Sequence, residues 1–163
     1  MYDPASAVKG WEAVQAAMPE NPAVVALAGL AVDAKYDREE LTLEVAPEDV
    51  TAAAEKLKAG GYNFLEDLTA VDWYPSEPRF QINYHILSHK FKTRIRLVAR
   101  VSGDGPAINT MTVVWPSANF YEREVYDLFG VHFGGHPNMT RIMMPLEWQG
   151  HPLRKDYPVE GYR

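Results

Sequence analysis

Three histidines, His132, His136 and His151, lie within thirty positions of the carboxylates Glu122, Glu124 and Asp127 in the last third of this 163-residue chain. Imidazole nitrogen and carboxylate oxygen are the donors that zinc and iron accept. A free-standing metal hydrolase centred on His132, His136 and Asp127, with His151 or Glu124 in reserve, is therefore the first chemistry these residue types suggest. The spacing speaks against it. In "HFGGH" the histidines stand four apart, as in the helical zinc motif, but Gly134, Gly135 and Pro137 break any helix across them, and the motif's glutamate is missing. Histidines hydrogen-bonded to backbone in loops are the structural alternative. The carboxylates have an equally plain reading, since Arg123 and Asp127 stand at i and i+4, where a helix places a neutralising pair. No Gly-x-Ser-x-Gly elbow presents a nucleophile, and neither a dinucleotide fingerprint nor a phosphate loop occurs.

What remains is a texture. "GGHPNMTRIMMPLEWQGHPLRKDYP" contains Gly-His-Pro twice, fifteen positions apart, each near an arginine. Glycine and proline restrict the backbone and lower the entropy lost on binding, while Arg, Tyr and Trp are enriched at binding hot spots. Residues 131–163 read as a stiff, non-helical ribbon laid on another subunit, with Arg123, Glu124, Asp127, His136, Arg141, His151, Arg154 and Asp156 as its expected contact residues.

Composition narrows the partners. There is no cysteine, so this chain offers no thiolate for an iron–sulfur cluster, a cysteine zinc site or a disulfide. Residues 1–72 carry 14 acidic against 5 basic side chains and residues 73–163 carry 11 basic against 8 acidic, for a net charge of −6. An acidic total disfavours nucleic acid. The basic half, with Lys90, Lys92, Arg94, Arg96 and Arg100 close together, would suit an acidic protein surface, although a solvated strand face is the simpler explanation. The longest apolar run, Ala23 to Val32, is far short of the ~20 residues of a spanning helix.

The elements that would position these groups follow from periodicity. Asp3 and Pro4 predict the start of a helix reaching Met18 through Val8, Trp11 and Val14. A strand is expected over Leu30 to Tyr36, and "LTLEV" alternates as a second strand after the turn "YDREE". Pro47 to Gly60 has the charge and stop signals of a helix, with Val50, Ala53, Ala54 and Leu57 as its buried stripe. "FLEDLTAVDW" reads as a strand of imperfect alternation, and "RFQINYHIL" and "RIRLVARV" form a hairpin. "NTMTVVWP" reads as a last strand. "SANFYEREVYDLFG" reads as a helix with an Asn119–Glu122 capping box, an apolar face of Tyr121, Val125, Leu128 and Phe129, and a stop at Gly130. The expected fold is α+β: a mixed, mostly antiparallel sheet with helices packed on one side, in a domain over residues 1–130, followed by the extended segment 131–163.

Glu122, Arg123, Glu124, Asp127, Phe129 and Gly130, then Gly135 to Pro137, Arg141 and Ile142, and Gly150 to Asp156 resemble in order the signature of the 30 kDa subunit of respiratory-chain NADH:quinone oxidoreductase (complex I). Weaker likeness reaches back to about residue 30. The resemblance implies a cofactor-free structural component of the peripheral arm, packed against the large quinone-site subunit. It would be held on the cytoplasmic side of the membrane through its partners, with iron–sulfur clusters, FMN and quinone in other chains. Related complexes that take electrons from ferredoxin, F420 or hydrogenase modules use similar subunits, so the donor stays open.

Overall fold

The computed structural model describes residues 6–161. In chain order the elements are β1 (Val8–Lys9), α1 (Trp11–Ala17), α2 (Pro22–Ala26), β2 (Ala31–Asp37), β3 (Glu40–Val45), α3 (Val50–Ala59), β4 (Phe64–Asp72), β5 (Phe80–Ser88), β6 (Thr93–Val101), β7 (Ala107–Asn109), α4 (Ala118–Phe129) and β8 (His132–Gly134). Six strands make one sheet in the order β1-β2-β3-β6-β5-β4, and β7 and β8 form a separate pair. Every neighbour in the large sheet is antiparallel except β3 and β6. The fold is the expected α+β with a mixed, mostly antiparallel sheet.

Local chemistry accounts for the turns. Arg38 and Glu39 reverse the chain between β2 and β3 with φ of 52° and 65°, a two-residue left-handed turn whose twist matches the strands it joins. The parallel contact of β3 with β6 needs a long crossover, supplied by α3 and the β4–β5 hairpin. Asn21 caps α2, its side-chain oxygen accepting from the amides of Ala23 and Val24 at 3.0 and 3.4 Å. The apolar run Ala23 to Val32 is thus helix first, then Gly29 at φ 83°, then strand.

Alternation then builds the core. Leu41, Leu43 and Val45 on β3, Ile82, Tyr84 and Ile86 on β5, and Ile95, Leu97 and Ala99 on β6 are all buried on one face. Leu43 and Leu97 stand side by side in the parallel register. Val50, Ala53, Ala54 and Leu57 of α3 are buried, as predicted. The opposite face of the sheet carries the charged residues, among them the arginines of β6. Among the described residues no helix is long and apolar enough to cross a membrane.

Four expectations are corrected. The first helix begins at Trp11, because Val8 and Lys9 pair with Tyr36 and Lys35 as an edge strand and Gly10, at φ 93°, turns the chain between them; Asp3 and Pro4 lie outside the described residues. "NTMTVVWP" is not a strand beyond Asn109: the segment from Thr110 turns sharply, since its Met111 amide donates to the buried Glu122 carboxylate and not to a ladder. The Asn119–Glu122 capping box does not form, Ser117 being the N-cap residue and Glu122 facing the interior. The stripe of arginines is also no free docking face. Arg94 pairs with Glu66 of β4, Arg96 with Glu40 and Arg100 with Glu44 of β3, so carboxylates of the same sheet neutralise it.

Candidate functional site: a strap over helix α4

A helix leaves its last four carbonyls without intrahelical partners. Gly130 ends α4 in the left-handed region, φ 73°, and returns its amide to the Tyr126 carbonyl at 2.9 Å. The remaining three are capped from more than twenty positions away. His151 Nδ1 donates to the Asp127 carbonyl at 2.9 Å, the Leu153 amide to Leu128 at 3.0 Å, and Arg154 Nε to Phe129 at 2.6 Å. Cationic side chains suit a helix C-terminus, where the macrodipole is negative.

The first Gly-His-Pro holds the other end of the same helix. Gly135 turns the chain at φ 82°, and His136 Nδ1 accepts the Asn138 amide at 3.0 Å. Its proton therefore sits on Nε2, which donates to the Asn119 carbonyl at 3.2 Å. The two motifs thus clamp the first and last turns of α4, which gives their spacing its meaning. Arg123 adds a tie midway, donating to the Thr140 carbonyl and hydroxyl at 3.0 and 2.8 Å.

Asp127 is the hub. Oδ2 accepts three successive amides, from Ile142, Met143 and Met144, at 2.9, 2.7 and 2.9 Å, and Oδ1 accepts from Arg141 Nη1 at 2.6 Å. Arg141 also reaches the Gly150 carbonyl at 3.0 Å, closing the loop between the two motifs. Burial alone would raise the Asp127 pKa, but the amides of Met144 and Met143, Arg141 and the Ile142 amide outweigh it and hold the carboxyl below its ordinary range. Burial lowers the pKa of His151, against its bond to the Asp127 carbonyl, and keeps the ring neutral.

A second anchor lies beyond. The guanidinium of Arg79 bonds both oxygens of Asp72 at 2.8 Å and both of Asp156, at 2.9 and 2.6 Å. The Lys155 amide adds a bond to Asp72 at 2.8 Å. The Phe80 ring lies under two guanidiniums, those of Arg79 and Arg154, at 4.9 and 5.2 Å.

Of the eight predicted contact residues, the structure brings seven into this network and turns them onto their own chain: Arg123, Asp127, His136, Arg141, His151, Arg154 and Asp156. Glu124 stays exposed on the outer side of α4. The expected Arg123–Asp127 pair does not form, because each has a better partner on the strap. His132, His136 and Asp127 are not gathered as metal ligands: His132 stacks edge-on against Tyr126, His136 serves the Asn119 carbonyl, and the carboxylate of Asp127 is enclosed by amides. Sequence reasoning missed Asp72 and Arg79. Asp72 follows Leu68 and Ala70 on the inward side of β4, and a carboxylate at that position asks for a buried cation.

The strap also leaves large apolar side chains outside, beside the exposed Glu147, Gln149 and Lys155. Ile142, Met143, Leu146, Trp148 and Leu153 are exposed, Leu146 to 78% and Met143 to 58%. Pro145, Glu147, Trp148, Gln149 and Tyr157 border a shallow cleft of about 380 Å³ beside them.

Fold and strap together define a class: an α+β domain whose C-terminal ribbon is bolted to its last helix by inward charges and carries outward hydrophobic residues. The family model described as the respiratory-chain NADH dehydrogenase 30 Kd subunit matches residues 43–163. An NADH-quinone oxidoreductase subunit of this kind from Citrifermentans bemidjiense is 43% identical over 146 residues, covering 86% of this chain and 91% of that one. Its counterpart in Geobacter sulfurreducens is 46% identical over 147 residues, with 86% and 91% covered. Among solved structures, a trypsin-resistant fragment of Nqo5 superposes with a TM-score of 0.58 at 35% identity, over 61% of this chain and 82% of the fragment. A chain of the membrane-bound sulfane sulfur reductase, an archaeal respiratory membrane complex, gives 0.69 at 26% identity, over 83% and 82%. The chain belongs to the family of the respiratory-chain NADH dehydrogenase 30 kDa subunit, a component of NADH-quinone oxidoreductase.

Proposed function

We propose that this chain is a cofactor-free assembly subunit in the peripheral arm of a proton-translocating NADH:quinone oxidoreductase, and that its strap docks on the large quinone-site subunit. In this role it is held at the cytoplasmic side of the membrane by its partners. Electrons pass through iron–sulfur clusters, FMN and quinone in other chains, consistent with a sequence that has no cysteine to ligate a cluster. The observation that carries the reading is the division of labour within the strap. The side chains of Arg141, His151, Arg154 and Asp156 are bonded within the chain, which orders the strap's backbone, while Ile142, Met143, Leu146, Trp148 and Leu153 are exposed beside Glu147, Gln149 and Lys155. A pre-ordered apolar ridge loses little entropy on docking and gains from the water it sheds.

The test is replacement of Leu146 and Trp148 by Asp, singly and together. The expected outcome is a more than tenfold drop in the large subunit recovered with this chain from native membranes. The melting temperature of the isolated chain should move by no more than about 2 °C, since neither side chain belongs to the core. Undiminished recovery would refute the docking surface. The likeness to a chain of the archaeal sulfane sulfur reductase supports a second reading, the same docking role with a ferredoxin, F420 or hydrogenase-type donor; the identity of the co-purifying input module decides between them.

A further inference from the structure

Glu122 sits on the same helix as Asp127 and is as fully buried, with no exposed side-chain surface, yet it takes no part in the clamp. Its Oε1 accepts the Met111 amide at 2.5 Å and its Oε2 lies 2.5 Å from the Thr110 hydroxyl. The Thr110 hydroxyl accepts the Thr112 amide at 3.1 Å and lies 2.8 Å from the hydroxyl of Thr112, which is half-buried at the surface. A buried carboxylate is ordinarily matched by a guanidinium or ammonium group. Among the described residues none forms an ion pair with this one.

The titratable groups that face it do not supply a positive charge. From the turn after β8, His136 Nε2 stands 4.0 Å away, but that ring is held neutral by accepting the Asn138 amide at Nδ1 and by burial. From β5, the Tyr84 hydroxyl is buried without a hydrogen-bond partner, and burial together with the nearby Glu122 pushes its pKa up. Lys58 of α3 reaches the same loop but donates to the Val114 carbonyl at 2.6 Å. Thr110 supports either state. Beside a carboxylate it donates to Glu122; beside a carboxylic acid it accepts from Glu122 and donates to Thr112.

We propose that Glu122, Thr110 and Thr112 form a reversible proton-binding site that couples pH to the packing of the 110–115 loop against α4. When the site is filled, the carboxyl O–H donates to Thr110, which donates to Thr112, and the interior is neutral. When it empties, the Glu122 proton passes to the Thr110 oxygen as Thr110 passes its own to Thr112, and Thr112 releases one proton to water. Only O–H bonds are exchanged, and one proton leaves. The negative charge left behind faces Tyr84 and the His136 turn without compensation and loosens the loop. The inference is independent of the docking reading.

Burial pushes the Glu122 pKa from 4.5 up to about 7, against the lowering effect of the Thr110 and Met111 bonds. The folded chain then binds more protons than the unfolded one between those values, so this contribution is complete below pH 4.5 and is lost as pH rises through about 7. The experiment uses the full-length chain and Glu122→Gln, whose amide keeps both hydrogen bonds without the charge. Urea unfolding at pH 5.5 and 8.5 should show the wild-type folding constant falling at least tenfold more than that of the variant. Infrared spectroscopy of the wild type should show a protonated-carboxyl band at pH 5.5 that disappears by pH 8.5 and is absent from Glu122→Gln. Equal pH dependence in the two proteins would overturn the proposal, as would a missing band at pH 5.5. Should the variant fail to fold, the wild-type band alone decides.

Discussion

Two regions of this molecule use the same residue types to opposite effect. On the open face of the sheet Arg94, Arg96 and Arg100 meet Glu66, Glu40 and Glu44 in water, each arginine satisfied by a single carboxylate, from β4 across β5 for Arg94 and from the adjacent β3 for the other two. Under the strap Asp127 collects one guanidinium and three amides, and Arg79 bridges Asp72 and Asp156 beside an aromatic ring. Exposed pairs are worth ~0–1 kcal/mol because water competes for both partners and salt screens them. In the buried Asp127–Arg141 and Asp72–Arg79 pairs competition is removed and a lost partner is not replaced. The first region keeps a sheet face soluble; the second fixes a chain segment in place.

Breaking the hub is the severest test of this contrast. Asp127→Ala should lower the unfolding free energy by ~3–5 kcal/mol in urea titration, since it takes the carboxylate from Arg141 and leaves three amides without their acceptor at once. Arg79→Met comes next at ~3 kcal/mol, leaving Asp72 buried with the amides of Lys155 and Tyr74 as its remaining donors. Acid reaches the same anchor by titration. Burial would raise the Asp72 pKa, but Arg79 and the amides of Lys155 and Tyr74 prevail and bring it from 3.8 down to about 2. The folded state therefore binds fewer protons than the unfolded one in that window, and stability that is whole above about pH 4 should fade as pH drops through about 2, less steeply in Arg79→Met.

Gly130→Ala should cost about 2 kcal/mol by the same titration, combining a left-handed φ with a methyl that would come within 2.5 Å of His151 and 2.6 Å of Arg154. Its signature would be loosening of residues 141–156 in hydrogen exchange before the sheet opens. Arg96→Ala defines the floor of the series. A loss of no more than ~0.5 kcal/mol, vanishing in about 1 M salt, is expected; a loss matching Arg79→Met would erase the distinction between the two regions.

Much of the architecture is legible in the sequence. The alternation on β3, β5 and β6 is clear because one face of each strand is buried and the other wet. The stop at Gly130 is clear because a left-handed residue ends a helix by itself. The role of Glu122 is obscured by a local pattern, a capping box that competes with burial; yet Ala118, Val125 and Phe129 are buried on α4 along with Glu122, and a stripe drawn through those positions places the carboxylate inside. "NTMTVVWP" has strand composition, and its conformation is governed instead by that one carboxylate twelve residues beyond Thr110. The signature residues are recognisable as a set, and their types suggest contacts with another molecule. In this chain most of their side chains bond neighbouring segments, and the exposed hydrophobic residues between them, which no periodic pattern marks out, stand beside Glu147, Gln149 and Lys155 on the outer surface.

By itself the sequence determined the periodic elements, the chain reversals at glycine and proline, and the family, because these depend on residues close together or on an ordered pattern. The tertiary structure alone decided which carbonyl each histidine and arginine would find. Unpaired groups at the ends of α4 exist only once the helix has formed, and the donors that reach them stand up to 25 positions further along the chain. A local pattern contains no term for a partner at that separation; only a folded backbone, with water removed and each buried polar group obliged to find a mate, selects it.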